Sequence, residues 1–215
     1  MDGGYMKRFF LLLLVCAMFF GLGSTAFAEV NSMHEEKINW NLTYPSVIIP
    51  DNLAAQDRIN TDIMTHIKAL RSDFENGEYY MCGGYYKVHY EDEAILSVSL
   101  YLYRDPYGAN VNHSYSWNIV YDKTNGQKIP LYNYVRITPE DLDLYKYSHT
   151  YSESGELLED VWDVDITKVP DDYFLPGDGA ICIVFSPYSL TAGVYGSTYI
   201  KLEPEYIEYL NRKNK

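Results

Sequence analysis

An α+β fold is predicted by three features of this 215-residue sequence. One early stretch repeats apolar residues at helical spacing, several others alternate apolar and polar residues with a period of two, and residues 180–185 are apolar on both alternating faces. The first pattern requires a helix with one buried side. The second requires strands with one core face, and the third a central strand covered on two sides.

Residues 38–49 read as a short extended segment, and Pro45 within it suits an edge strand. Pro50-Asp51-Asn52 offers helix-start chemistry, and Ile59, Ile63, Ile67, Leu70 and Phe74 then recur at spacings of four, four, three and four. That helix should end near Asn76-Gly77. Residues 79–90 follow as a strand. In residues 94–104 Leu96, Val98, Leu100 and Leu102 form the core face, with Ser97, Ser99, Tyr101 and Tyr103 opposite. Residues 114–121 alternate in the same way, which completes a three-stranded meander against the helix.

Asn125-Gly126 signals a hairpin leading into a strand over 128–135. Thr138-Pro139-Glu140 has the cap and first-turn chemistry of a short helix, since proline lacks only an N–H that would be orphaned there. A polar, acidic connection runs to Asp172. The buried strand comes next, then an extended 197–202, and Pro204 opens a terminal helix with Tyr206, Ile207 and Leu210 on one side. The two α+β halves, residues 29–125 and 126–215, are expected to pack together, the second carrying the buried strand and the C-terminal helix.

Lys7 and Arg8, an apolar run over residues 9–20 and the small-residue pattern Ala26-Phe27-Ala28 make a secretory leader, residues 1–28, cleaved after Ala28. The run is shorter than the roughly 20 residues of a spanning helix. A lipidated Cys16 would need a small residue before it, where Val15 stands. The chain is thus expected to be secreted or periplasmic, with no stable membrane insertion after cleavage. Without Asp2, Lys7 and Arg8 the mature chain has 15 basic and 29 acidic residues, net −14, which argues against nucleic acid or anionic lipid as a partner. Cys82 and Cys182 remain after export, either as a disulfide between the halves or as two buried thiols.

The stretch Tyr173-Phe-Leu-Pro-Gly-Asp-Gly-Ala-Ile-Cys-Ile-Val-Phe-Ser-Pro-Tyr188, with Gly193 and Gly196, resembles the C-terminal half of the extracytoplasmic domain shared by RsiV-type lysozyme-sensing anti-sigma factors and the non-catalytic part of PdaC-type peptidoglycan deacetylases. Tyr44-Pro45, the helix start from Asn52 to Asn60, and Asn118-Ile-Val-Tyr-Asp122 with Thr124-Asn-Gly126 and Leu131 resemble its earlier segments. The resemblance covers most of the mature chain. It implies a sensory or binding module, a domain of unknown function, without the parts that signal or catalyse.

His34, His66, His89, His113 and His149 show no metal-site spacing, and no Cys-x-x-Cys, nucleophile elbow or phosphate-binding loop occurs. Asp163-Val-Asp165 lacks the glycine and terminal glutamate of an EF-hand loop. No catalytic residue, metal or cofactor is therefore expected. Residues 140–178 hold twelve carboxylates against Lys146 and Lys168, net −10, either a solvated face or a docking surface for a basic protein. Tyrosine is also abundant, at 23 residues. Packing in strands accounts for many of them, and Tyr101 and Tyr103 are candidates for an aromatic platform. The sequence reading is a secreted, non-catalytic envelope binding protein recognising lysozyme or another basic cell-wall-lytic protein through Glu156, Glu159, Asp160 and Asp163 with Tyr101 and Tyr103. The alternatives are a peptidoglycan or glycan-recognition accessory and a hydrolase with a dispersed carboxylate pair.

Overall fold

Two antiparallel-rich sheets, each with helical cover, make up the computed structural model, which describes residues 29–107 and 113–215. The leader expected in residues 1–28, with Cys16, lies outside the described residues. The first sheet runs in the order β1 (Glu29–Lys37), β2 (Trp40–Ile48), β3 (Met81–Glu91), β4 (Ile95–Asp105), β5 (His113–Asp122) and β6 (Gln127–Lys128), with α1 (Leu53–Glu75) packed on one face. The chain continues through α2 (Pro139–His149), β7 (Thr150–Ser152), β8 (Tyr173–Phe174), β9 (Ile181–Phe185), β10 (Thr198–Leu202) and α3 (Pro204–Lys213). Its second sheet is ordered β7-β10-β9-β8.

Helix α1 starts where Asn52 accepts the Ala55 N–H and stops at Asn76, as its cap signals predict. Ile59, Ile63, Ile67 and Leu70 are buried against Trp40, Leu42 and Val47 of β2, the Leu96–Leu102 row of β4, and Ile119 and Tyr121 of β5. Val120, on the opposite face of β5, belongs to a second cluster with Leu131, Leu142, Ile181, Ile183, Phe185, Ile200, Leu202 and Leu210. Strand β9 is buried at all five positions. Its odd residues face the second cluster, while Cys182 and Val184 join Phe174 on the side toward the first sheet.

Four elements depart from the sequence expectation. Residues 38–49 hold an inner strand, because the polar segment Glu29-Val-Asn-Ser-Met-His-Glu-Glu-Lys37, with no apolar alternation, forms the true edge β1. Charged, exposed edge strands of this kind resist unwanted pairing. Pro45 is tolerated in β2 because parallel pairing with β3 stops at Leu42. Beyond it helix side chains meet the strand: Val47 donates to Asn60 Oδ1 at 2.9 Å, Asn60 Nδ2 donates to Val47 O at 2.8 Å, and Ile49 N donates to Gln56 Oε1 at 2.9 Å. The strand expected over 128–135 is reduced to Gln127–Lys128, since Pro130 has no ladder donor and a 3-10 turn at Leu131–Asn133 follows. Strand β7 lies inside what read as a plain acidic connection. Finally, β4 is buried on both faces, with Ser97 and Ser99 fully covered.

Cys82 and Cys182 are free and buried in different clusters, so the structure has two thiols and not the bridge. Burial raises both pKa values, that of Cys82 to about 11. Helix α2 carries the expected Thr138 cap, completed by Asp141 into a reciprocal capping box.

Gly126 has φ +75°, and a Cβ there would lie 2.6 Å from Ala55 O and 2.8 Å from Ala55 Cα, backbone that cannot move aside. Asn52 Nδ2 and Arg58 Nη1 fix this turn by donating to the carbonyls of Thr124 and Asn125, both at 2.7 Å. Gly193 has no positive φ, and its Cβ would meet the Tyr188 ring at 2.0 Å, but that side chain is 72% exposed and free to swing outward. Gly126→Val should therefore cost more than about 2 kcal/mol in urea unfolding, and Gly193→Val less than about 1 kcal/mol. Equal losses would contradict this ranking.

Candidate functional site

The back face of the first sheet, away from α1, is polar by sequence: Tyr85 and Lys87 on β3, Ser97, Ser99 and Tyr101 on β4, and Ser116 and Asn118 on β5. A bulge between Val88 and Tyr90 makes His89 an extra residue in β3. Bulges re-aim side chains. Here the His89 ring stacks on Phe174 of β8 at 3.9 Å, and Tyr90, opposite Ser97, joins the second cluster.

Hydrogen bonds pin the second half to this face. Leu175 N donates to Ser97 Oγ at 2.9 Å. Asn118 donates twice to Asp172, from its backbone N and from Nδ2, both at 3.1 Å. Ser99 lies within 2.8 Å of His89 Nε2 and donates to Asn118 Oδ1. The result is a chain His89–Ser99–Asn118–Asp172 beneath Phe174. Burial, then the charge of Lys87, lowers the His89 pKa to about 4, so the ring is neutral. Burial also raises Asp172 to about 6, against the two bonds from Asn118 that favour its ionised form.

Where the sheets diverge from this seam they leave a cleft of about 430 Å³. Its walls include Lys87, Tyr101, Tyr151, Glu153, Phe174 and Tyr199, with Cys182, Val184 and Thr198 also lining it. Tyr85 stacks on Tyr101 at 4.7 Å, and Tyr151 stacks on Tyr199 at 5.6 Å. Tyr85 also donates to Glu153 Oε1 at 3.1 Å, and burial raises the Glu153 pKa. Thr198 is 2% exposed, and its Oγ1 has no hydrogen-bond partner among the described residues. Such a buried, unmet hydroxyl carries a desolvation cost.

Of the sequence candidates, Tyr101 lines this cleft and Tyr103 lines a side lobe shared with Tyr101 and Glu153. Glu156 stands beside Tyr101 and Tyr195 on the adjoining outer space. Glu159, Asp160 and Asp163 line none of these spaces and are exposed along the irregular segment that precedes β8. Trp162 N donates to Leu190 O at 2.8 Å, Tyr147 donates to Asp163 at 2.6 Å, and Lys146 Nζ donates to Val164 O, which together hold this segment in place. Sequence reasoning missed His89, Glu153, Thr198 and Asp172. The alternating Ser/Tyr face of β4 was the one signal of a second covered surface.

Ser99 is fully buried, so its contact with His89 is structural, and Cys182 is held as a thiol. Among the described residues no group of three His, Cys, Asp or Glu side chains is placed to share a metal ion.

This fold is similar to that of solved DUF3298 proteins. The chain is similar to a DUF3298 family member from Bacteroides fragilis, with TM-score 0.57 and 13% identity, over 87% of this chain and 94% of that one. It is also similar to a DUF3298 family protein from Pseudomonas aeruginosa, with TM-score 0.52 and 11% identity, over 84% and 92% of the two chains. At these identities the likeness establishes a shared fold, that of a domain of unknown function. No family model matches the sequence, and no curated protein matches it significantly.

The seam has opposing pH responses. His89 binds its proton near pH 4 when folded and near 6.5 when unfolded, so its contribution is full above pH 6.5 and is lost as pH falls toward 4. Asp172, raised from 3.8 to about 6, contributes fully below about pH 3.8 and loses that contribution as pH rises through 6. Glu153, also raised by burial, acts in the same sense as Asp172. The Asp172→Asn variant should therefore lose stability more steeply than the wild type between pH 6 and 4, as measured by urea unfolding. Parallel pH profiles would contradict the assignment.

Proposed function

We propose that this chain is an exported, non-catalytic binding protein that docks a basic cell-wall-lytic protein of the lysozyme type on the segment 156–165. Exposed acid interleaved with exposed apolar side chains on that segment is the observation that carries this reading. Glu156, Glu159, Asp160, Asp163 and Asp165 form no ion pair among the described residues, whereas Asp141, Asp143, Asp171 and Asp178 are each matched by a lysine. Between the unpaired acids stand Leu157, Trp162 and Val164, with Trp162 40% exposed.

Unpaired carboxylates accelerate encounter with a basic surface, and a tryptophan supplies the anchor that slows release. The resemblance to RsiV-type sensors supports lysozyme as the partner to test, and the leader pattern in residues 1–28 supplies the exported location that such a partner requires.

Calorimetry and association kinetics with lysozyme at low salt provide the test. Combining Glu156→Gln, Glu159→Gln, Asp160→Asn and Asp163→Asn should slow association about tenfold or more and flatten its salt dependence, with the melting temperature unchanged. Trp162→Ala should instead speed dissociation, with a loss of about 2 kcal/mol. No heat with lysozyme, or a quadruple variant that binds as the wild type does, overturns the reading.

A further inference from the structure

We propose that the side lobe between Tyr101, Tyr103 and Glu153 binds the quaternary ammonium group of a small soluble compound of the choline type. This inference does not depend on the docking segment 156–165, and none of the variants that test it alters that segment.

Strand register brings the walls of the lobe to one face. Tyr101 and Tyr103 of β4 stand opposite Ser116 and Ser114 of β5, and Tyr101 is paired on its other side with Tyr85 of β3. The Tyr85 and Tyr101 rings stack at 4.7 Å, so one face of the Tyr101 ring is taken. Its other face turns toward β5, where the Ser116 side chain is too short to cover it. The tip of the Tyr103 ring rests over Gly83 of β3, where a Cβ would lie 2.6 Å from its Cζ. Pro187, Gly196 and Ser197 of the second half close the lobe from the other side, and Ser116 Oγ donates to Ser197 Oγ at 3.3 Å. Glu153 follows Tyr151 by two residues, on the side of the second sheet that faces the first, and reaches into the same space.

Charge then selects the ligand. Glu153 lines the lobe, the cleft and the outer space alike, and it makes no ion pair among the described residues. Its Oε1 accepts from Tyr85, while Oε2, which a Cβ at Gly196 would approach to 3.3 Å, accepts no hydrogen bond among the described residues. A carboxylate held beside tyrosine ring faces attracts a cation twice over, through its own charge and through the negative face of the ring. An anion is opposed by both. Lys87 lines the cleft and the outer space but not the lobe, so it is a like charge nearby and not an obstruction. Size narrows the choice further. A cavity of roughly 150 Å³ holds a benzene ring, so the lobe, at about 110 Å³, admits a substituted ammonium and no sugar ring. A primary ammonium or a guanidinium brings several N–H donors that need acceptors, yet two of the serine hydroxyls here, those of Ser116 and Ser197, already bond each other. A quaternary ammonium has no N–H to satisfy, and its methyl groups can lie on the open face of Tyr101.

Titration of the full chain with choline, followed by calorimetry and by NMR of the Tyr101 and Tyr103 rings, tests the proposal. Saturable binding that shifts both sets of ring signals is expected. The uncharged isostere 3,3-dimethylbutanol, in which carbon replaces the nitrogen of choline, should bind about tenfold more weakly, and ethanolamine, a primary ammonium, about fivefold more weakly. Glu153→Gln keeps the shape and can still accept from Tyr85. It should weaken choline binding about tenfold with the melting temperature unchanged, and Tyr101→Leu should weaken it about fivefold. Lys87→Ala, which removes a like charge from an exposed position, should instead tighten binding about twofold. Opposite responses at Glu153 and Lys87 would not arise from structural roles. Absence of saturable binding, equal affinity for the uncharged isostere, or a folded Glu153→Gln protein that binds choline as the wild type does would each overturn the proposal. So would tighter binding of N-acetylargininamide than of choline, which would assign the lobe to a side chain of a basic protein. Binding to phosphatidylcholine vesicles without binding of free choline would likewise overturn it, in favour of a membrane surface.

Discussion

Much of this structure depends on the polar back face of β4 and β5. A sheet face carrying Ser97, Ser99 and Asn118 can be buried only if what covers it supplies matching donors and acceptors, because an unmet polar group in such a place costs about 1–3 kcal/mol. Leu175 N and the Asp172 carboxylate supply them, which fixes where β8 lies across the first sheet. An apolar interface would have tolerated sliding. This one specifies a position, and the divergence of the sheets beyond it creates the cleft.

The same seam explains the uneven legibility of the sequence. Elements whose signals are local were readable: α1 from its four-four-three-four repeat, α2 from Thr138-Pro139, β9 from its doubly apolar run, and α3 from Pro204 onward. Edge strand β1 was not, since an exposed edge needs no apolar alternation. Neither was the bulge at His89, because a one-residue offset leaves no mark in the periodicity while changing which residues share a face. Tyr101 was identified as a surface platform, yet it lies in a cleft, because a polar sheet face looks solvent-facing until a second layer is known to cover it. The candidate acids divided: Glu156 stands at the cleft's outer space, while Glu159, Asp160 and Asp163 follow the irregular segment away from it.

Charge is arranged with comparable economy. Lys146 is only 1% exposed, yet it bonds Asp143 at 2.6 Å and Val164 O, so a buried cation anchors the most acidic stretch of the chain. Asp143 also accepts the Ile166 N–H at 3.3 Å. These contacts let residues 156–165 stay ordered without a helix or strand, keeping Trp162 and its neighbouring carboxylates outward. One half of the molecule therefore offers a charged outer strip, while the junction of the halves holds a cleft walled by Tyr101, Tyr151 and Tyr199. The two surfaces have different physical requirements and respond to different substitutions.

The buried seam makes the two halves one cooperative unit. Native-state hydrogen exchange of the Leu175 amide, compared with that of Ile63 in the centre of α1, tests this most directly. If the seam holds the halves together, both amides exchange only through global unfolding, with the same opening free energy and the same dependence on denaturant. A Leu175 amide that exchanges through a smaller opening, shared with β9 and β10 but not with α1, would show that the second half detaches on its own and would contradict the account.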